Sequence, residues 1–172
     1  MEKGYVQVYT GNGKGKTTAA LGVVVRAIGA GYKVFIGQFL KAEDCSELHA
    51  LESFSDTVTI KQYGRGCFIM NIPCEEDVVA AREGFDEIRD IVISGKYDIV
   101  ILDEANIAVY YNMIDLSELL DLIKNKPDNV ELIITGRYAK PELIEAADLV
   151  TEMKEIKHYY NSGVPARKGI EK

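Results

Sequence analysis

Thr10-Gly11-Asn12-Gly13-Lys14-Gly15-Lys16-Thr17-Thr18 decides how this chain reads. Before it lies Tyr5–Thr10 (YVQVYT), a β-branched and aromatic run with the character of a strand. After it comes Thr17–Ala30 (TTAALGVVVRAIGA), which reads as a helix. A glycine-rich turn between a strand and a helix is the setting of a phosphate-binding loop. Glycines let backbone N–H groups turn toward phosphate oxygens, and the helix N-terminus adds partial positive charge. Lys16 is the cation expected to neutralise phosphate. Thr17 offers a hydroxyl to a magnesium ion, and Gly11, Asn12, Gly13, Lys14, Gly15 and Thr18 complete the cradle. One departure is visible. The strict spacing G-x-x-x-x-G-K-[ST] wants glycine at position 10, where this chain has threonine, with the glycine at 11.

Working outward, strand-like and helix-like stretches alternate to the end. Lys33–Gln38, Val58–Gln62, Tyr97–Asp103 and Glu131–Thr135 read as strands, and Leu149–Met153 as a last one. Glu75–Ser94 is a long amphipathic helix with Val78, Phe85, Ile88 and Val92 near the 3.6-residue period. Leu116–Asn125 and Pro141–Ala147 are helical, the second opening on proline. This pattern predicts the α/β class: one domain over residues 1–172, a mostly parallel sheet and helices on both faces. Ligands in such folds sit at the carboxyl ends of the strands.

Three further stretches carry chemistry. Ile99-Val100-Ile101-Leu102-Asp103-Glu104 ends an apolar strand in two acids, placed to hold a metal beside the phosphates; spacing leaves open whether Asp103 or Glu104 touches it. Arg137 follows the strand Glu131–Thr135 and could reach a phosphate or ribose, with a solvated loop position as the alternative. Arg26 lies ten residues along the helix from Lys16, a candidate ligand or a surface residue. Tyr63–Cys74 lacks periodicity and holds Phe68 and Ile69, which either tuck into the core or wall a flat apolar ligand.

Composition narrows the field. The 172 residues include 47% hydrophobic and 27% charged, which is globular. No apolar run approaches the ~20 residues of a membrane span, and Met1–Tyr5 shows no signal core. Three cysteines (Cys45, Cys67, Cys74) and two histidines (His49, His158) fit neither a disulfide framework nor a zinc site. A cytoplasmic protein without membrane contact is expected. The net charge of −7 argues against a nucleic-acid partner, because a polyphosphate backbone would be repelled.

Together these residues resemble the corrinoid adenosyltransferase family of the phosphate-loop type. The resemblance lies in YTGNGKGKTTAALG (9–22), VFIGQFLK (34–41), GRG (64–66), YDIVILDE (97–104), VELIITGR (130–137), LIEAADLVTEM (143–153), and KH with GVPARKGIE (157–158 and 163–171), in family order. Threonine at position 10 is itself the family's form. The resemblance implies a RecA-like sheet that binds ATP with Mg²⁺ or Mn²⁺. It implies transfer of the 5′-deoxyadenosyl group to Co(I) of a corrinoid, with release of triphosphate. The corrinoid would be cob(I)alamin, cobinamide or cobyrinic acid a,c-diamide. An electron donor such as a reduced flavoprotein and a homodimer are implied too. The family places the ligating carboxylate at Glu104, and expels the lower axial cobalt ligand with apolar side chains, here Phe68 and then Ile69. Some relatives place a tryptophan there, and this chain has none. The chain also starts a few residues before its first strand, without the N-terminal extension that covers the site in some relatives. Competing readings are a small phosphate-loop ATPase or kinase that releases ADP, and a non-enzymatic carrier.

Overall fold

The computed structural model describes residues 1–42, 45–65 and 73–171. Its strands are β1 (Val6–Thr10), β2 (Val34–Phe39), β3 (Val58–Tyr63), β4 (Ile99–Asp103), β5 (Glu131–Thr135) and β6 (Leu149–Glu152). They form one sheet in the order β3-β2-β4-β5-β1-β6, with every neighbouring pair parallel. β2, β4 and β5 are buried along their whole length, as near-continuous apolar runs must be when helices cover both faces.

The helices divide by direction of travel. Connections from β1 to β2 and from β2 to β3 run one way across the sheet, through α1 (Lys16–Gly29) and α2 (Ser46–Glu52). These pack on the face of Tyr9, Ile36, Ile101 and Ile133. The later connections step the other way, through α3 (Glu75–Ser94), α4 (Ala105–Tyr110) with α5 (Leu116–Asn125), and α6 (Pro141–Ala146). They cover the face of Val8, Phe35, Leu102 and Ile134. Opposite directions on opposite faces are what a single crossover hand requires. The expected RecA-like α/β architecture is present. β5 stands between the strand of the glycine-rich loop and the strand of the acidic pair, so the carboxyl ends of β1, β5 and β4 adjoin.

Two helices go beyond the sequence expectation. α2 has seven residues and α4 six, too short for a 3.6-residue period to declare itself. In α4 the residues Ala105, Asn106, Ala108 and Val109 are all buried, so no polar face marks it. In the aperiodic stretch, Tyr63 closes β3 and Cys74 N-caps α3. Phe68 and Ile69 lie outside the described residues.

α3 approaches the sheet closely at Gly84. A Cβ there would stand 2.4 Å from Cγ and 2.7 Å from Cβ of Tyr63. Those atoms are the ring's root, and its hydroxyl is fixed by donation to Glu87 at 3.0 Å. Alanine gains about 1 kcal/mol of helix propensity over glycine, whereas overpacking costs about 1–3 kcal/mol. Gly84→Ala is therefore expected to lower the denaturant midpoint at unchanged slope, by a net ~1 kcal/mol. A midpoint at or above wild type would mean that the ring yields freely.

Candidate active site

The glycine-rich loop takes the path its glycines allow. Gly11 has φ 96° and Gly15 φ 112°, both left-handed. The threonine at position 10 now has a reason. It is the last residue of β1, its Oγ1 accepts from Ala139 N at 3.3 Å, and the left-handed turn falls one residue later. A Cβ on Gly11 would meet Met153 O at 2.4 Å, and Gly13 N donates to that oxygen at 2.7 Å. The loop is thus braced from outside by the chain leaving β6.

Inside, one carboxylate organises the sheet end. Asp103, 1% exposed, accepts Thr17 Oγ1 (2.8 Å) and Thr135 Oγ1 (2.6 Å) at Oδ1, and Gln38 Nε2 (3.2 Å) and Lys41 Nζ (2.8 Å) at Oδ2. Thr135 Oγ1 in turn accepts from Glu104 N at 3.0 Å, which fixes the hydroxyl's polarity. Burial pushes the Asp103 carboxyl pKa up, but the Lys41 charge and hydrogen bond, with those of Thr135 and Thr17, overcome it and hold it down. Asp103 stays ionised with its lone pairs taken.

Glu104 has the opposite surroundings. Its backbone turns left-handed (φ 61°) as the N-cap of α4, and its carboxylate accepts no hydrogen bond among the described residues. Burial raises its pKa, Asp103 adds to the rise, and Lys41, Lys16 and Arg137 pull against it. Lys16, 7% exposed, donates to Gly13 O of its own loop at 2.8 Å. Burial lowers its pKa, partly offset by Glu104. A buried carboxylate without donors among the described residues, within the influence of the loop's Lys16, has the chemistry to take a divalent cation.

A family model described as ATP:corrinoid adenosyltransferase BtuR/CobO/CobP matches residues 2–171. A corrinoid adenosyltransferase of Sinorhizobium sp is 38% identical over 99% of this chain and 81% of its own length. Those of Pseudomonas aeruginosa and Escherichia coli K12 are each 36% identical over 99% of the chain, covering 84% and 86% of theirs. The chain belongs to the ATP:corrinoid adenosyltransferase family.

On this adenosyltransferase-family chain the structure gathers Lys16, Thr17, Asp103 and Glu104, with Arg137 close enough to act on the charges of Lys16 and Glu104. It does not gather Arg26, which lies exposed in the last turn of α1, ten residues or ~15 Å along the axis from Lys16. Asn12 and Thr18 are exposed at the loop's rim. Lys14 turns outward, donating to Ile170 O (2.9 Å) and pairing with Glu171 (3.4 Å). Arg167 and Tyr159 bind that same Glu171 and pull its carboxyl down to about 2. Sequence reading passed over Gln38, Lys41, Thr135 and Asn106. The first three sit inside quoted family stretches, which was the available signal. Asn106 Nδ2 donates to Gly136 O at 2.9 Å and fixes the turn before Arg137.

The two acids should separate in the nucleotide-free protein. Glu104→Gln removes a desolvated charge that has no donor, so its melting temperature in chelator should rise by about 2–4 °C, the shift that ~1 kcal/mol produces at this size. Asp103→Asn takes the close partner from Lys41, leaving it Glu47 at 3.9 Å, and should lower it. Equal falls in thermal scans would return Glu104 to a purely structural role.

Proposed function

We propose that this protein transfers the 5′-deoxyadenosyl group of ATP to the cobalt of a corrinoid. The observation that carries the reading is the meeting of four family stretches (YTGNGKGKTT, QFLK, ILDE and ITGR) around the Asp103 carboxylate. The groups gathered there are cations, hydroxyls committed as donors, and one open carboxylate. None is set up as a nucleophile beside a general base. That suits a reaction whose nucleophile is the substrate's own Co(I) centre. Its electron pair attacks C5′ of the ribose, a cobalt–carbon bond forms, and the C5′–O bond breaks with its electrons going to departing triphosphate.

The protein's task is then to stabilise the leaving group and hold the two substrates in line. The loop amides and the α1 N-terminus donate to phosphate oxygens, Lys16 exchanges Gly13 O for a phosphate, and Arg137 approaches from β5. Lys16, Lys41 and Arg137 barely outweigh Asp103 and Glu104, far short of the roughly four negative charges of a triphosphate, so a divalent cation completes the balance. Thr17 and Glu104 would hold magnesium or manganese, which when bound supplies positive charge to the departing oxygens. The corrinoid is a cobalamin, a cobinamide or cobyrinic acid a,c-diamide, kept as Co(I) by a donor such as a reduced flavoprotein. The working form is a cytoplasmic homodimer.

Phosphorus analysis after incubation with ATP and Co(I) corrinoid tests this reading: triphosphate with a light-sensitive cobalt–carbon product is expected. ADP would sink it in favour of a phosphate-loop kinase or ATPase. Lys16→Ala should lower turnover by about a hundredfold or more, with the melting temperature little changed, because the hydrogen bond its ammonium makes among the described residues is to its own loop. Near wild-type turnover at saturating ATP would remove the loop from the mechanism.

Phe68, with Ile69 beside it, is assigned to expelling the lower axial ligand of Co(II) before reduction. Phe68→Ala should then depress activity begun from Co(II) far more than activity begun from chemically prepared Co(I), at unchanged ATP affinity. An early-melting variant that loses both equally would make Phe68 a core residue, where truncation costs ~3–5 kcal/mol.

A further inference from the structure

Lys41 has no part in the mechanism beyond its charge, yet its placement is closely controlled. It follows β2 through Leu40, whose backbone is left-handed at φ 61°. Leu40 N donates to Tyr63 O at 3.2 Å. Gly64 lies so near that a Cβ on it would stand 2.6 Å from Lys41 N and 2.7 Å from the Leu40 carbonyl carbon. This backbone delivers the ammonium to Asp103 Oδ2 at 2.8 Å, with Glu47 at 3.9 Å beside it.

We propose that Lys41 is the positioning residue of the cation site: it occupies the Asp103 oxygen that a divalent ion would otherwise take, and so leaves Glu104 as the one carboxylate open to metal. The inference rests on the proposed metal position at Thr17 and Glu104. Without Lys41, Oδ2 keeps only the Gln38 amide at 3.2 Å. Asp103 and Glu104, whose charges already act on each other, would then both be open to a cation, and cation affinity rises with the number of charged ligands. A cation would settle in the empty protein and take the Thr17 hydroxyl before nucleotide arrived. With Lys41 in place, the site lacks charge until the phosphates bring their share. Metal binding thereby becomes contingent on nucleotide.

The test measures Mn²⁺ binding by electron paramagnetic resonance on the full chain, without corrinoid so that nothing turns over, with and without ATP. Wild type should bind Mn²⁺ weakly alone and tightly with ATP. Lys41→Met should bind Mn²⁺ about tenfold more tightly in the absence of nucleotide, and Lys41→Met/Asp103→Asn should lose that gain. Lys41→Arg, which keeps the charge, should behave as wild type. A merely structural lysine would give no gain of affinity on removal. Thermal scans establish folding, and Lys41→Gln, which retains a donor, replaces Lys41→Met if that variant does not fold. A folded variant whose nucleotide-free affinity equals or falls below wild type overturns the proposal, as does a gain that persists in the double variant. Failure of the metal position itself looks different: wild type with ATP would then hold Mn²⁺ no better than ATP alone, or Glu104→Gln would leave the ATP-dependent binding intact.

Discussion

Asp103 accepts donors from the first turn of α1, from the end of β2, from the chain just beyond β2 and from the end of β5, all at one carboxylate almost shut off from solvent. Such an ion must be satisfied in full, because a buried charge without partners costs several kcal/mol. That requirement makes the distances interdependent. Moving Thr17 away from Asp103 opens the start of α1, and moving Thr135 frees Glu104 N. Buried ion pairs add little net stability against apolar packing of the same volume. The value of this one is geometric: it fixes a hydroxyl, a lysine and a free carboxylate with respect to one another.

The glycine-rich loop is held from the other side by main chain. Gly13 N donates to Met153 O, Met153 N donates to Thr10 O, and Lys14 reaches Ile170 O and Glu171 in the C-terminal stretch. A side chain on Gly11 or Gly13 would drive the two strands of this brace apart. The loop's glycines therefore serve packing beside the approach of phosphate proposed for them, and a linear motif does not separate the two roles. The same ambiguity hid the direction of Lys14, which reads as a second phosphate cation and instead anchors the tail.

Most of the fold was legible because strand and helix periods are properties of neighbouring residues. α3 runs over the expected Glu75–Ser94, and the weakly marked β6 is a strand despite being exposed throughout. Local pattern failed where length was too short, as in α2 and α4. It also could not resolve how charge is shared between elements. Nothing in Leu102-Asp103-Glu104 says which acid is tied down, since the donors to Asp103 come from 32 to 86 residues away along the chain. Lys41 was readable only as part of a family stretch, and its meaning depends on β2 and β4 being neighbours. For Arg26 the sequence left a ligand and a surface position open, and the structure places it exposed in the last turn of α1.

The four central strands share one feature at their carboxyl ends. The residue directly after each is left-handed: Gly11 after β1, Leu40 after β2, Glu104 after β4 and Gly136 after β5. Glycine adopts this region freely, whereas other residues pay roughly 1–2 kcal/mol for it. Two glycines would have been the less strained choice at Leu40 and Glu104, but glycine carries no side chain, and the role proposed for Glu104 needs a carboxylate at that point. The turn also explains why adjacent acids diverge. Asp103 still belongs to the strand and takes the Thr17, Gln38 and Thr135 donors, while Glu104, past the reversal, accepts none of them among the described residues. Backbone strain at an N-cap thus converts a repeated residue type into two different chemical groups, one spent on the protein's own geometry and one left for a ligand.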